Sequence, residues 1–220
     1  MKKLVVCGDS FGFSRLETDW PIIVAKKLNY KLKNLSIVGC SNIAICYQID
    51  YAIKNINPDL IIVTLTGADR FEIDYDDKKV PATLEDFQYN IDEIDTSIFK
   101  KDPSIVSGNV VSQLRNSHID HIKSMILKHS YRLSAEKDSW CLQHHLNNIK
   151  CKFLVYRNIY PQYHQDKSNY NSEYYFGLEK YLIQSGPYMY ENEKANNTNH
   201  LSVRDNNLFA KKVFNDLNSL

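Results

Sequence analysis

The apolar positions along the chain predict four short buried strands. Apolar runs occupy KLVVC (3–7), KNLSIVG (33–39), PDLIIVTLTG (58–67) and CKFLVYRNIYP (151–161). These runs are short for helices, and turn-forming glycine or proline follows them. Both features are typical of strands that are buried on both faces of a parallel sheet.

Between these runs, apolar residues recur every three or four positions, which predicts amphipathic helices. In the segment 19–30, Asp19 is placed to cap a helix and Pro21 suits its first turn. The segment 41–56 carries an apolar face at helical spacing. Its members are Ile45, Ile49, Ala52, Ile53 and Ile56.

Strands that alternate with helices indicate a parallel sheet with crossover helices. The chain is therefore predicted to form one domain over residues 1–220, a three-layer α/β/α sandwich with a central parallel sheet. Further helices are expected within 106–150 and from about 203. Residues 71–105 are polar and acidic with two prolines, which predicts an insertion or a long loop, with a short hairpin as one form of it.

The charge and the cysteine content of the chain argue against several classes of protein. The 27 basic and 26 acidic residues give a net charge of +1, which argues against a nucleic-acid partner. The five cysteines are odd in number and form no CxxC, so a disulfide framework and a zinc site are not expected. They are predicted to be small buried hydrophobes. The neighbouring His144 and His145 would lie on different helix faces, so this pair is predicted to be a poor metal chelate.

The N-terminal apolar run has only four or five residues before Asp9, too few for a signal peptide, and no run reaches the length of a membrane span. The chain is thus expected to be cytoplasmic and without a membrane partner.

Small polar residues follow three of the predicted strands. They are Gly8-Asp9-Ser10, Gly39-Cys40-Ser41-Asn42 and Gly67-Ala68-Asp69-Arg70. Because the carboxyl ends of parallel strands meet at one edge of a sheet, and because ligands bind at that edge in open α/β folds, these segments are the candidate site.

Over its whole length the chain resembles the SGNH, or GDSL-type, hydrolase family. The three segments and a histidine near the C-terminus follow the order of the four sequence blocks of that family. VVCGDSF resembles the first block, whose serine, here Ser10, is the nucleophile. NLSIVGCSNIAI resembles the second, in which the backbone N–H of the glycine, here Gly39, lies in the oxyanion hole. IIVTLTGADRFE stands where the third block belongs and resembles a divergent version found in phage-encoded and environmental members. NTNHLS resembles the last block, with His200 as the base.

The chemistry explains this set of residues. A serine hydroxyl needs an adjacent base, usually imidazole, to become a nucleophile at neutral pH. The charge that develops on the substrate oxygen needs preorganised donors, and losing one raises the barrier by about 3–4 kcal/mol. The resemblance therefore implies hydrolysis of carboxylic esters without a cofactor or metal.

The last block departs from the family pattern, in which an aspartate orients the histidine. Asn197 stands at that position. An amide accepts a hydrogen bond from imidazole, but it does not offset the imidazolium charge, and in another fold this exchange slows the reaction about 10⁴-fold. Three alternatives remain open: a Ser10–His200 dyad suffices, another carboxylate takes the role, or activity is weak. The nearby carboxylates are Glu191, Glu193 and Asp205.

The third block departs as well, because Asp69 replaces the asparagine that donates to the oxyanion. An ionised Asp69 would repel that charge, so Arg70 or Asn42 is the candidate side-chain donor beside the backbone N–H groups of Ser10 and Gly39. Asp9 and Asp69 are candidate supporting residues of the same edge.

Two other functions stay open on the same scaffold. One is a binding or structural protein that has lost the chemistry, and the other is an O-acyltransferase. The Tyr- and amide-rich segment 160–181 favours a carbohydrate ester over other small-molecule esters, since aromatic faces stack on sugars. The same residues also suit a protein–protein contact. The sequence leaves the oligomeric state open.

Overall fold

The computed structural model describes residues 1–66, 70–75, 78–83, 131–156, 178, 180–183 and 201–220, with backbone alone for 70–75, 78–83 and 131–136. The strands are β1 (Lys3–Gly8), β2 (Lys31–Asn34), β3 (Leu60–Thr64), β4 (Arg70–Tyr75), β5 (Lys78–Thr83), β6 (Lys152–Tyr156) and β7 (Leu182–Ile183). The helices are α1 (Trp20–Leu28), α2 (Asn42–Tyr51), α3 (Tyr131–Asn147) and α4 (Val203–Asn218), and a π-helical turn, Ala52–Ile56, extends α2.

Five of the strands form one parallel sheet in the order β2-β1-β3-β6-β7. The strand order reverses between β1 and β3. The chain first places β2 on one side of β1 and then places β3 on the other side of β1. In open α/β sheets this point of reversal creates a crevice at the carboxyl ends of the strands. The sheet confirms the predicted class of fold and places the crevice between Gly8 and Thr64, which are paired.

Alternate residues of each central strand enter two separate cores, as the pleat requires. On one face, Val5, Ile61 and Val155 pack against α2 and α3. On the other, Leu4, Ile62 and Tyr156 pack against α1 and α4. Because both faces are covered, residues 4–7 of β1 and residues 60–63 of β3 are apolar without interruption, and the three-layer sandwich is confirmed.

Side chains define the starts of two helices. Ser41 caps α2 by accepting from the N–H groups of Ile43 and Ala44, and Ser202 caps α4 by accepting from Asp205 N. The prediction for Asp19 is wrong in its mechanism. Asp19 occupies the N-cap position of α1, but its carboxylate accepts from Arg15 N and Leu16 N (2.7 and 2.8 Å) and holds the preceding turn instead.

The predicted second strand, 33–39, has different bounds in the structure, where β2 ends at Asn34. The Asn34 side chain accepts from Ser36 N (2.9 Å) and donates to Gly12 O (2.8 Å). Beyond Asn34 the chain still runs beside β1, because Leu35 N donates to Val6 O (2.8 Å) and Ile37 N donates to Gly8 O (3.0 Å).

Further differences concern the second half of the chain. The sequence did not predict β7, whose two residues are only half-buried. β4 pairs antiparallel with β5, so paired strands of a hairpin do occur within the predicted loop. The remainder of 71–105 and the predicted helical part 106–130 lie outside the described residues. None of the described helices combines the length and apolarity that a membrane span requires.

The close approach of β1 and β3 yields a first prediction. A Cβ built on Gly8 would lie 1.9 Å from Thr64 Oγ1 and 3.0 Å from the Thr64 carbonyl oxygen. Gly8→Ala should therefore lower the free energy of unfolding by about 1–3 kcal/mol, measured by urea denaturation. Gly12→Ala is the matched control, since its Cβ would meet only side-chain atoms of Ser36 and Thr64. An equal loss in both variants would contradict the role of the Thr64 backbone.

Candidate active site

Ser10 lies in a tight turn directly after β1. Asp9 fixes this turn, because its Oδ1 accepts from Phe11 N (3.0 Å) while its carbonyl accepts from Gly12 N (3.1 Å). Asp9 is 1% exposed and Ser10 is 2% exposed. The predicted nucleophile therefore lies at the crevice edge but is largely covered.

Gly8 anchors this turn to the neighbouring segment. Gln48 of α2 accepts from Gly8 N (2.7 Å) and donates to Gly8 O (3.2 Å). The same carbonyl accepts from Ile37 N (3.0 Å) and from Cys40 Sγ (3.3 Å). The turn that contains Gly39 is thus bonded to the residue two positions before Ser10, as the predicted site requires.

Gly39 has a φ of 78°, which an L side chain rarely adopts, so glycine suits this position. None of the hydrogen bonds between described residues uses the backbone N–H of Gly39 or Ser10. Both predicted oxyanion donors therefore keep their donor capacity within the described part of the chain.

The Asn42 side chain is committed to bonds within the fold. Its Oδ1 accepts from Thr66 N (3.0 Å), and its Nδ2 donates to Thr66 O (3.1 Å) and to Asp138 Oδ2 (3.3 Å). The residue fastens α2 to the end of β3 and to α3. A role as oxyanion donor would require one of these bonds to break, so the predicted function of Asn42 is less favoured than its structural one.

A chain of hydrogen bonds connects the turn of Ser10 to the start of α4. Trp20 Nε1 donates to Phe11 O (2.8 Å), and Trp20 N donates to Asn206 Oδ1 (2.8 Å). Asn206 Nδ2 donates in turn to Leu201 O and Ser202 O (3.3 and 3.1 Å). All the side chains in this chain are buried, and Leu201 is the residue that follows the predicted base.

The other predicted site residues are only partly described. Asn197, His200 and Asp69 lie outside the described residues, and for Arg70 the structure gives only the backbone, at the start of β4. Of the alternative carboxylates, Asp205 is 1% exposed and accepts from Ser202 Oγ (2.8 Å), so it takes part in the cap of α4. Glu191 and Glu193 are outside the described part.

A second group of reactive side chains is not predictable from sequence spacing. Cys46, Cys141 and His145 come together where α2 packs against α3. The only signal was that Cys141 and His145 are four residues apart on one helix and so share a face. Their partner, Cys46, is 95 positions from Cys141 by subtraction of their numbers, a pairing that spacing does not reveal. All five cysteines are free thiols. Cys7, Cys40 and Cys46 are buried as predicted, but the prediction is wrong for Cys141 and Cys151, which are only half-buried.

Comparison with known proteins finds similar solved structures. No protein-family model matches the chain, and no curated protein matches it significantly. The chain is similar to the structure of a member of the lipolytic G-D-S-L family from Veillonella parvula (14% identity, all of both chains covered, TM-score 0.47). It is also similar to the psychrotrophic esterase EstA from Pseudoalteromonas sp. (12% identity, 98% of this chain and 100% of that one, TM-score 0.46).

A third similar structure is the acetyl xylan esterase AlAXEase, with 13% identity over 97% of this chain and 98% of that one and a TM-score of 0.45. These proteins are of the kind that the sequence resembles. At such identities the similarity describes the course of the chain and assigns no role to any residue.

The hydrogen-bond chain to α4 yields a second prediction. Asn206→Ala removes three buried bonds and leaves Trp20 N without its acceptor, so the free energy of unfolding should fall by about 2–4 kcal/mol. The neighbouring Asn207 is exposed and bonds only within its helix, which makes Asn207→Ala the matched control. Thermal melting of both variants tests this. Equal melting temperatures would show that Asn206 does not tie α4 to α1.

Proposed function

We propose that this protein hydrolyses carboxylic esters, with Ser10 as the nucleophile and His200 as its base. The observation that carries the proposal is the buried hydrogen-bond chain from Phe11 through Trp20 and Asn206 to Leu201. It ties the residue after Ser10 to the residue after His200. This link between two segments about 190 positions apart supports the proposal, since a nucleophile and its base must come within hydrogen-bond reach.

In the proposed reaction, Ser10 Oγ attacks the ester carbonyl carbon while the imidazole of His200 takes the hydroxyl proton. The backbone N–H groups of Ser10 and Gly39 donate to the oxyanion. His200 then returns the proton to the departing alcohol, leaving an acyl group on Ser10. A water molecule, deprotonated by the same imidazole, releases the acid and restores the serine.

Asn197 is proposed to orient His200 by accepting from its second ring nitrogen. The proposed substrates are esters of small molecules or carbohydrates, including O-acetyl sugars. The carbohydrate preference rests on the tyrosines and amides of 160–181, which offer stacking faces and hydrogen-bond partners for hydroxyls.

The direct test measures release of p-nitrophenol from its acetyl ester by the wild type, Ser10→Ala and His200→Ala. Both variants should lose at least about 100-fold in kcat, since each removes a group that acts only in the chemical steps. Ser36→Ala is the matched control. This serine is also buried at the same edge, and its hydroxyl has no hydrogen-bond partner among the described residues. An active wild type that Ser10→Ala leaves unchanged would refute the proposal.

The departure at Asn197 gives a further prediction. If Asn197 holds the third position of a triad, Asn197→Asp should raise kcat by about 10-fold or more, because a carboxylate stabilises the imidazolium that forms in the transition state. Activity of both forms should fall at low pH, because a protonated imidazole no longer accepts the serine proton. Unchanged or lower activity of Asn197→Asp on the same ester would place the orienting group elsewhere.

A further inference from the structure

The packing of α2 against α3 creates a cluster of two thiols and an imidazole on the sheet face opposite to α1 and α4. Cys46 Sγ, Cys141 Sγ and a ring nitrogen of His145 all lie within 4.8 Å of one another. None of the three has a part in the proposed hydrolysis.

Thiolate and imidazole are the preferred protein ligands of zinc, which binds sulfur at about 2.3 Å and nitrogen at about 2.0–2.1 Å in a tetrahedron. Those bond lengths put neighbouring ligand atoms about 3.5–3.8 Å apart. The three atoms therefore need to approach one another by no more than about 1.3 Å.

The burial of the cluster suits an ion that enters from solvent. Cys46 is 1% exposed, whereas Cys141 and His145 are half-buried, so the cluster has a closed side and an open side. Two thiolates would balance the charge of a divalent ion. The open side leaves room for water at the fourth position.

The carboxylates around the cluster favour a cation. Burial raises the pKa of the Cys46 thiol, with smaller contributions from Cys141 and Asp138. Burial and His144 lower the pKa of His145, and Asp50 opposes that fall. Lys54 pairs with Asp50 (2.8 Å) and is the nearby cation that opposes them.

We propose that Cys46, Cys141 and His145 bind one zinc ion, with water as the fourth ligand, and that the ion fastens α2 to α3. The thiols release their protons to solvent when the ion binds. The same helices are already joined by the Asn42–Asp138 hydrogen bond one turn away, so the zinc ion would be a second link between them. This departs from the expectation, drawn from cysteine spacing alone, that the chain holds no metal.

The test titrates the reduced, metal-free protein with Co²⁺ and then displaces it with Zn²⁺. One equivalent of Co²⁺ should produce sulfur-to-cobalt charge-transfer absorption and the bands of a tetrahedral ion. Cys141→Ser and His145→Gln should weaken zinc binding by more than about 100-fold, since even loss of a group behind a ligand costs 10–100-fold. Zinc should raise the melting temperature of the wild type but not of these variants.

Matched controls come from the neighbouring residues. Cys151→Ser and His144→Gln remove the same kinds of group outside the cluster and should bind zinc as the wild type does. Far-UV circular dichroism without metal shows whether each variant is folded.

Equal binding by the site and control variants would overturn the proposal, as would the absence of thiolate–cobalt absorption. The proposal would also be overturned if Cys46 and Cys141 form a disulfide and the reduced protein still binds no metal. None of these readouts uses ester hydrolysis, so the two proposals fail separately.

Discussion

The close pairing of β1 with β3, on which the candidate site depends, requires that Gly8 has no side chain. Thr64 occupies the space that a Cβ would need, and the backbone of Gly8 is bonded to Gln48, Ile37 and Cys40. One residue thus joins β1, β3, α2 and the turn after β2. Ser10 follows Gly8 by two residues. Loss of the bonds at Gly8 would therefore displace the candidate nucleophile relative to Gly39.

The second determinant is a buried polar chain in an otherwise apolar layer. Trp20 packs edge-on against Phe209 with ring centroids 4.9 Å apart, so α1 and α4 are held by aromatic contact. The hydrogen bonds through Asn206 then select a single register of α4, because buried polar groups without partners are costly. Apolar contact supplies the stability, and the polar chain fixes which residues of the two ends of the sequence meet.

The two faces of the sheet carry different chemistry. The layer of α1 and α4 supports the edge where Ser10 and the segment leading into α4 converge. The layer of α2 and α3 carries the two thiols and the imidazole, which have no part in the proposed hydrolysis. Asn42 nevertheless connects this layer to the end of β3. In such a sandwich, the pleat assigns alternate residues to each face, so the two layers are able to change independently while the central strands stay constant.

The sequence alone predicts the class of fold, because residues 4–7 of β1 and residues 60–63 of β3 are apolar at successive positions, a pattern typical of strands covered on both faces. It also places Ser10 directly after a strand, since a turn glycine is a local signal. The presence of β7, the structural use of Asn42 and the meeting of Cys46 with Cys141 follow from the tertiary structure. Each of these depends on a partner far away along the chain, and the pattern of neighbouring residues carries no information about such a partner.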